Sequence, residues 1–321
     1  MSNSFWRMCN SNRFISPCLI RDAKQENHFM KLLRNLLVVI GAVIISGCAD
    51  VGPGLKIQAS GQSNPWTHLN LYSNPDNFQF AIVADRTGDM RPGVFADAVE
   101  KLNLLKPEFV MSIGDLIMGE TEDDAELDRQ WDEFDTLVKK LQMPFFYVPG
   151  NHDIGSEAMA KKWQERLGQT YYHFTCRNVL FLCLNTDDAC EGCIGHQQFE
   201  YFREVLETNR DVRWTLVFMH RPLWKKSETL ENWEKFEPLL ADRPYTVFAG
   251  HRHIYNKSVR SGCWHYVLAI TGGGGGGEDN EPLGLAECRF DHIVWVTMTD
   301  DGPVLANLLL EGILDDEPCP Q

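Results

Sequence analysis

The chain has no apolar stretch long enough to cross a bilayer, no dense Lys/Arg cluster and no internal repeat. A spanning helix needs about 20 consecutive apolar residues, and the stretch 36–45 has ten. Lys and Arg total 30 against 45 Asp and Glu, a net charge of −15. Nucleic-acid affinity comes from clustered cationic side chains that displace counterions, so this balance disfavours a nucleic-acid partner. The acidic stretch 120–135 lacks the Asp-x-Asp-x-Asp-Gly order of a calcium loop and reads as a solvated helix face. What is present suffices for a folded chain: 44% of residues are hydrophobic and 11% aromatic, which excludes global disorder.

Residues 30–48 read MKLLRNLLVVIGAVIISGC. Lys31 and Arg34 precede the apolar run, and Ser46 and Gly47 precede Cys48, which is the layout of a secretory signal. The ending Ile45-Ser46-Gly47-Cys48 resembles a bacterial lipobox. That resemblance implies lipidation of Cys48 and export to the periplasmic or cell-surface side of a bacterial membrane, with Met30 as the true start. Residues 1–48 are therefore read as an N-terminal extension and signal. Residues 49–77, with Pro53, Gly54, Gly61, Pro65 and Pro75, read as a tether, residues 78–312 as the folded domain and 313–321 as a tail.

Seven cysteines follow Cys48, so at least one is unpaired within the chain. Cys190 and Cys193 form a C-x-x-C with no further zinc ligands nearby and no thioredoxin-like setting. A local disulfide or two free thiols is the simpler reading.

From residue 78, apolar runs alternate with helical patterns. Strands are predicted at 78–84, 108–113, 145–148, 179–184, 214–219 and 245–249, and helices at 92–105, 122–141, 196–206 and 229–240. Three strands, 264–270, 290–298 and 303–310, follow without helices between them. Such an order gives an α/β or α+β chain of mixed sheets with helices outside. Five strands end in Asp, Asn or His: Asp85, Asp115, Asn151-His152, His220, and His251 with His253. Ligands of open α/β folds sit at the carboxyl ends of strands, so these residues are expected to converge. In extended chain, residues 251 and 253 would face the same way, with Arg252 turned aside.

Gly114-Asp115, Gly150-Asn151-His152, His220 and Gly250-His251-Arg252-His253 resemble, in order and spacing, the calcineurin-like metallophosphoesterases. The likeness covers about residues 78–275. It implies a four-layer αββα sandwich of two mixed sheets flanked by helices. It also implies hydrolysis of a small phosphomonoester or phosphodiester by a binuclear metal centre with a bridging hydroxide. Carried over, the first metal takes Asp85, Asp115 and His253. The second takes Asp115, Asn151, His220 and His251, with Asp115 bridging. His152 contacts the phosphoryl group and protonates the leaving oxygen. The mixed nitrogen and oxygen donors suit two divalent or trivalent ions, Mn, Fe, Zn or Co.

The first motif departs from the family's Asp-x-His: here it is Asp85-Arg86-Thr87. Purple acid phosphatases also lack that histidine and substitute a Tyr three residues after the second-motif Asp, where this chain has Met118. Losing even a group that only touches a metal ligand costs about 10–100-fold in affinity or activity. The first metal is therefore expected to bind more weakly, and Thr87→His to tighten it. Arg86 and Arg221, beside ligand positions, are candidate substrate-binding residues that fork onto phosphate, or else form ordinary ion pairs. The glycine run 272–277 either lets backbone N–H groups approach substrate or is a loop without contacts. His68, His173, His196, His265 and His292 match no motif. Two other functions compete: pyrophosphate cleavage of a nucleotide-sugar or lipid-linked substrate, and a metal-binding module that lost catalysis along with the first-motif histidine. His152 argues against the latter.

Overall fold

A computed structural model describes residues 67, 74–225, 228 and 230–312. The expected signal with Cys48, the tether apart from residues 67 and 74–77, and the tail 313–321 lie outside the described residues. Among the described residues no helix is long and apolar enough to cross a membrane.

Two mixed sheets face one another. The first takes β1 (Phe78–Val83), β2 (Val110–Ser112) and β3 (Phe145–Phe146) in parallel. Antiparallel β10 (His292–Thr299) and β11 (Gly302–Leu309) extend it past β1, giving the order β11-β10-β1-β2-β3. The second sheet contains β4 (Tyr172–Cys176), β5 (Val179–Cys183), β6 (Trp214–Phe218), β7 (Tyr245–Ala249), β8 (Asn256–Arg260) and β9 (Cys263–Val267). Its order is β4-β5-β6-β7-β9-β8, parallel from β5 to β9 with antiparallel edges.

Strands β1, β2, β5, β6 and β7 are largely apolar because both of their faces are buried. In β1, Phe78, Phe80 and Ile82 enter the core between the sheets, while Ala81 and Val83 pack outward against helices. In β5, Phe181 and Cys183 face inward, and Leu180 and Leu182 face outward. Phe181 stacks on Phe174 with ring centres 4.5 Å apart and meets Phe80 edge-on at 5.5 Å. Helices α1 (Val94–Leu105), α2 (Asp124–Val138) and α4 (Glu157–Leu167) cover the first sheet through Phe95, Trp131, Phe134 and Trp163. Helices α5 (His196–Thr208) and α6 (Leu230–Phe236) cover the second through Phe202, Trp233 and Phe236. The layers are thus α, β, β, α.

Among the elements not foreseen are β4, β8 and α4. Strand β8 reads Asn-Lys-Ser-Val-Arg and lies at a sheet edge, where polar side chains are the norm. Helix α4 is charged at five of its eleven positions, but its start is marked by Ser156, whose hydroxyl accepts from Met159 N–H at 3.3 Å. The C-x-x-C cysteines, Cys190 and Cys193, are joined as a disulfide.

Candidate metal centre

Backbone hydrogen bonds tie the loop after β1 to that after β2, and the loop after β6 to that after β7. Arg86 and Thr87 N–H both donate to Asp115 O, at 3.0 and 3.1 Å, and Gly250 N–H donates to His220 O at 2.9 Å. Side-chain carboxylates complete the stitching. Asp85 Oδ1 accepts His251 N–H at 2.8 Å, and Asp115 Oδ1 accepts His152 N–H at 3.0 Å. Asp153, a residue the sequence reading passed over, follows the single helical turn α3 (Asn151–Ile154) inward. Its Oδ1 accepts from Leu116 and Ile117, and its Oδ2 from Gly150. Burial, with Asp115 nearby, pushes the Asp153 carboxyl up to about 7 against the pull of those N–H donors. The local signal for it was its place directly after Gly-Asn-His.

These loops gather the predicted ligands into two groups that share one residue. Asp115, His220 and His251 form one group; Asp85, Asp115 and His253 form the other; in each, the donor atoms lie within 4.8 Å of one another. His220 Nε2 is 3.1 Å from Asp115 Oδ2, 3.0 Å from Asn151 Oδ1 and 3.2 Å from His251 Nδ1. His253 Nε2 is 3.5 Å from Asp85 Oδ1. His251 and His253 do converge, but not as extended chain. Their φ values are +68° and +51°, and that of Asp115 is +56°. Left-handed backbone is uncommon for such residues and clusters at functional sites. The predicted i, i+2 geometry is therefore replaced by a tight turn, and Arg252 borders the cleft instead of turning away.

Backbone carbonyls orient the imidazoles. His220 Nδ1 lies 2.9 Å from Ile113 O, and His253 Nδ1 lies 2.7 Å from Gly274 O. A ring N–H spent on a carbonyl leaves Nε2 for a metal. The glycine run supplies that carbonyl, and a Cβ on Gly273 would stand 2.6 Å from Thr87 O and 3.2 Å from His253 Cε1. His152 Nδ1 is held likewise, 2.7 Å from Met118 O; the Glu120 carboxylate, at 3.8 Å, is the weaker contact.

The buried groups of the cluster press on one another's charge. Burial pushes Asp85 up to about 6, opposed by His253 and His220. Burial also works against a charged His220, yet Asp115 and Asp85 raise it to about 10. Asp115 in turn, despite its burial, is held well below the usual carboxylate range by His220 and His152. Burial and the neighbouring charges of His220 and Arg221 push His251 down to about 3. The fully buried Asp85 Oδ2 has no hydrogen-bond partner among the described residues. Two buried carboxylates, oriented ring nitrogens and an orphaned oxygen make a donor set that fits cations.

Both candidate substrate arginines have their donors committed elsewhere. Arg86 is buried: Nη1 donates to Leu116 O and Nη2 to Glu133 Oε1, both at 2.6 Å, and its guanidinium lies over Phe95 and Phe134. Arg221 holds Asp187 and Glu191 at 3.0 Å and places Nη1 2.9 Å from His251 Nε2. It meets His251 and is not among the residues lining the cleft. Thr87, at the departure from Asp-x-His, is fully buried and directs its hydroxyl at Met118 Sδ, 3.5 Å away. The two positions at which related sites carry an additional ligand thus contact each other. A cleft of about 380 Å³ opens over the cluster, walled by Asn151, His152, His251, His253, Arg252 and Arg289 among others.

A two-sheet αββα sandwich with paired donor groups at its strand ends defines a metallophosphoesterase architecture. The calcineurin-like phosphoesterase family model matches residues 48–255, and the chain belongs to that family. It is 31% identical over 147 residues to the serine/threonine-protein phosphatase CPPED1 of Bos taurus, a match covering 40% of this chain and 44% of that protein. It is 24% identical over 173 residues to the 3',5'-cyclic adenosine monophosphate phosphodiesterase CpdA of Haemophilus influenzae, covering 50% of this chain and 60% of that one. The matches thus span less than two thirds of either relative. Among solved structures, a dimetal phosphatase from Danio rerio superimposes with a TM-score of 0.51 at 15% identity, covering 73% of this chain and 96% of that one. That likeness is one of fold.

Proposed function

We propose that the chain hydrolyses a small phosphomonoester or phosphodiester with the help of two metal ions, Mn, Fe, Zn or Co. One observation carries the reading: Asp115 belongs to both donor groups. In this reading Asp85, Asp115 and His253 hold one ion, and Asp115, Asn151, His220 and His251 hold the other. Bound ions of this kind supply Lewis acidity toward a phosphoryl group and an activated nucleophile.

The protein's own groups do the rest. Asp153 and the linked carboxylates fix the loops so that the donors need not reorganise. His152, with Nδ1 held by Met118 O, presents Nε2 toward Gly88, 3.8 Å from where a Cβ would stand there. That face borders the cleft, so His152 is placed to give a proton to the leaving oxygen. The relatives' names divide between a phosphatase and a cyclic-nucleotide phosphodiesterase, and both ester classes belong in the first assay.

The test is to remove metal, restore Mn, Fe, Zn or Co in turn, and measure turnover of a generic phosphomonoester and a generic phosphodiester. Metal-dependent turnover that His152→Ala lowers by about 100-fold is the expected result. A folded protein that binds metal but turns over neither ester would sink the reading.

We further propose that the chain is exported and anchored to a bacterial membrane through lipidated Cys48, with the domain at 78–312 displayed beyond a tether. The support is the signal-like run ending in Ile45-Ser46-Gly47-Cys48. Fatty-acid labelling that survives Cys48→Ser would count against it.

A further inference from the structure

The arginines around the metal cluster differ in what they are free to bind. Arg86 is spent on Leu116 O and Glu133. Arg91 pairs with Asp291 and Glu281 and donates to Gly273 O. Arg221 is held by Asp187 and Glu191. Arg252 pairs with Glu228 at 3.3 Å. Arg289 lines the cleft with Asn151, His152 and His253, and among the described residues it forms no ion pair. Its one side-chain hydrogen bond among the described residues is Nη1 to Gly275 O at 3.5 Å.

The segment that carries Arg289 is a built flap. Gly276 bridges to Pro282 and Gly284 to Arg289, with Arg289 N–H donating to Gly284 O at 3.0 Å and Gly284 N–H to Arg289 O at 2.8 Å. Arg91 clamps the flap's base: its backbone N–H reaches Gly272 O at 2.8 Å, and its Nε reaches Gly273 O at 3.1 Å. A Cβ on Gly276 would stand 3.2 Å from Arg289 Nη1, so the glycine makes room for the guanidinium. The cleft thus has one unpaired, always-charged fork on a fixed loop, in a protein whose net charge is −15.

We propose that Arg289 is a specificity-determining residue that binds the phosphoryl oxygen facing away from the metal donors, and that the substrate is a phosphomonoester. The inference rests on the hydrolase reading above. A monoester phosphoryl group has three non-bridging oxygens. Two can face the two donor groups that share Asp115, and the third remains anionic for a charge-assisted guanidinium bond. A diester has only two such oxygens; the position opposite Arg289 is then an esterified oxygen, a poor acceptor without charge.

The test uses the full domain loaded with Mn and reads anion binding by calorimetry, with inorganic phosphate and dimethyl phosphate as probes. The wild type binds phosphate more tightly than dimethyl phosphate. Arg289→Met weakens phosphate binding by about tenfold or more and leaves dimethyl phosphate unchanged, and Arg289→Lys recovers part of the loss. Equal phosphate binding in wild type and Arg289→Met, an equal loss for both anions, or no phosphate binding by the wild type would each overturn the proposal. The expected anion pattern without ester turnover would overturn the hydrolase reading and leave the role of Arg289 standing.

Discussion

Asp115→Asn is expected to lower metal-dependent ester hydrolysis by about a thousandfold or more, since a bound ion's charge stabilisation amounts to several kcal/mol. The substitution is nearly isosteric. An amide oxygen can still accept His152 N–H, and Asn tolerates the left-handed backbone at this position. What disappears is the one negative charge common to both donor groups. Two divalent ions would then face Asp85 alone, so the second ion to enter meets nearly uncompensated repulsion. Calorimetric titration with Mn beside a thermal melt of the metal-free variant separates the effects: stoichiometry should fall from two toward one with the fold intact. Wild-type turnover in Asp115→Asn would remove the basis for a shared-ligand centre.

A second large effect is expected from a single methyl group. Gly150 lies so close to Asp115 that a Cβ there would overlap the Asp115 backbone nitrogen and Oδ1. The backbone is equally tight on the other side, where a Cβ on Gly114 would stand 2.7 Å from Gly150 Cα and His220 Nδ1. Gly150→Ala must therefore push Asp115 off its position. The expected cost is about 1–3 kcal/mol of stability from overpacking and about 10–100-fold in metal affinity. Denaturant unfolding of the metal-free protein reads the first, and Mn titration the second. A variant as stable as the wild type that binds Mn equally well would show that the close approach is not a constraint.

Much of this site was legible before any coordinates, because its residues stand at the ends of apolar runs. Asp85, Asp115, His220 and His251 each follow a buried strand, and such strands are conspicuous in sequence, while Asn151 follows the short, partly buried edge strand β3. The sheet order then carries their ends to one place. What the sequence left open concerns side-chain partners instead of strand ends, and of the two readings given for Arg86 and Arg221 the structure shows the ion pairs. Arg86 and Arg221 neighbour ligand positions in sequence, but Glu133 lies 47 residues from the first and Asp187 34 from the second. No local pattern announces either pairing. Arg289 was invisible for the converse reason: it lies far past the last motif and reaches the cleft only because the glycine run folds back through the Gly276–Pro282 bridge. Strands β4 and β8 escaped because none of their residues is fully buried and neither forms a continuous apolar run.

The stitching of the loops by Asp85, Asp115 and Asp153 has a kinetic consequence. The amides of Leu116, Ile117, His152 and His251 each point at a buried or nearly buried carboxylate. Their protons should exchange with solvent deuterium slowly even in chelated protein, as those of a sheet interior do. Slow exchange in the chelated protein would mean that the donor cage can be emptied and refilled with no excursion through the unfolded ensemble. Scarcity of metal would then idle such a protein without exposing it to aggregation or proteolysis, and return of metal would restart it at the rate at which an ion sheds its water.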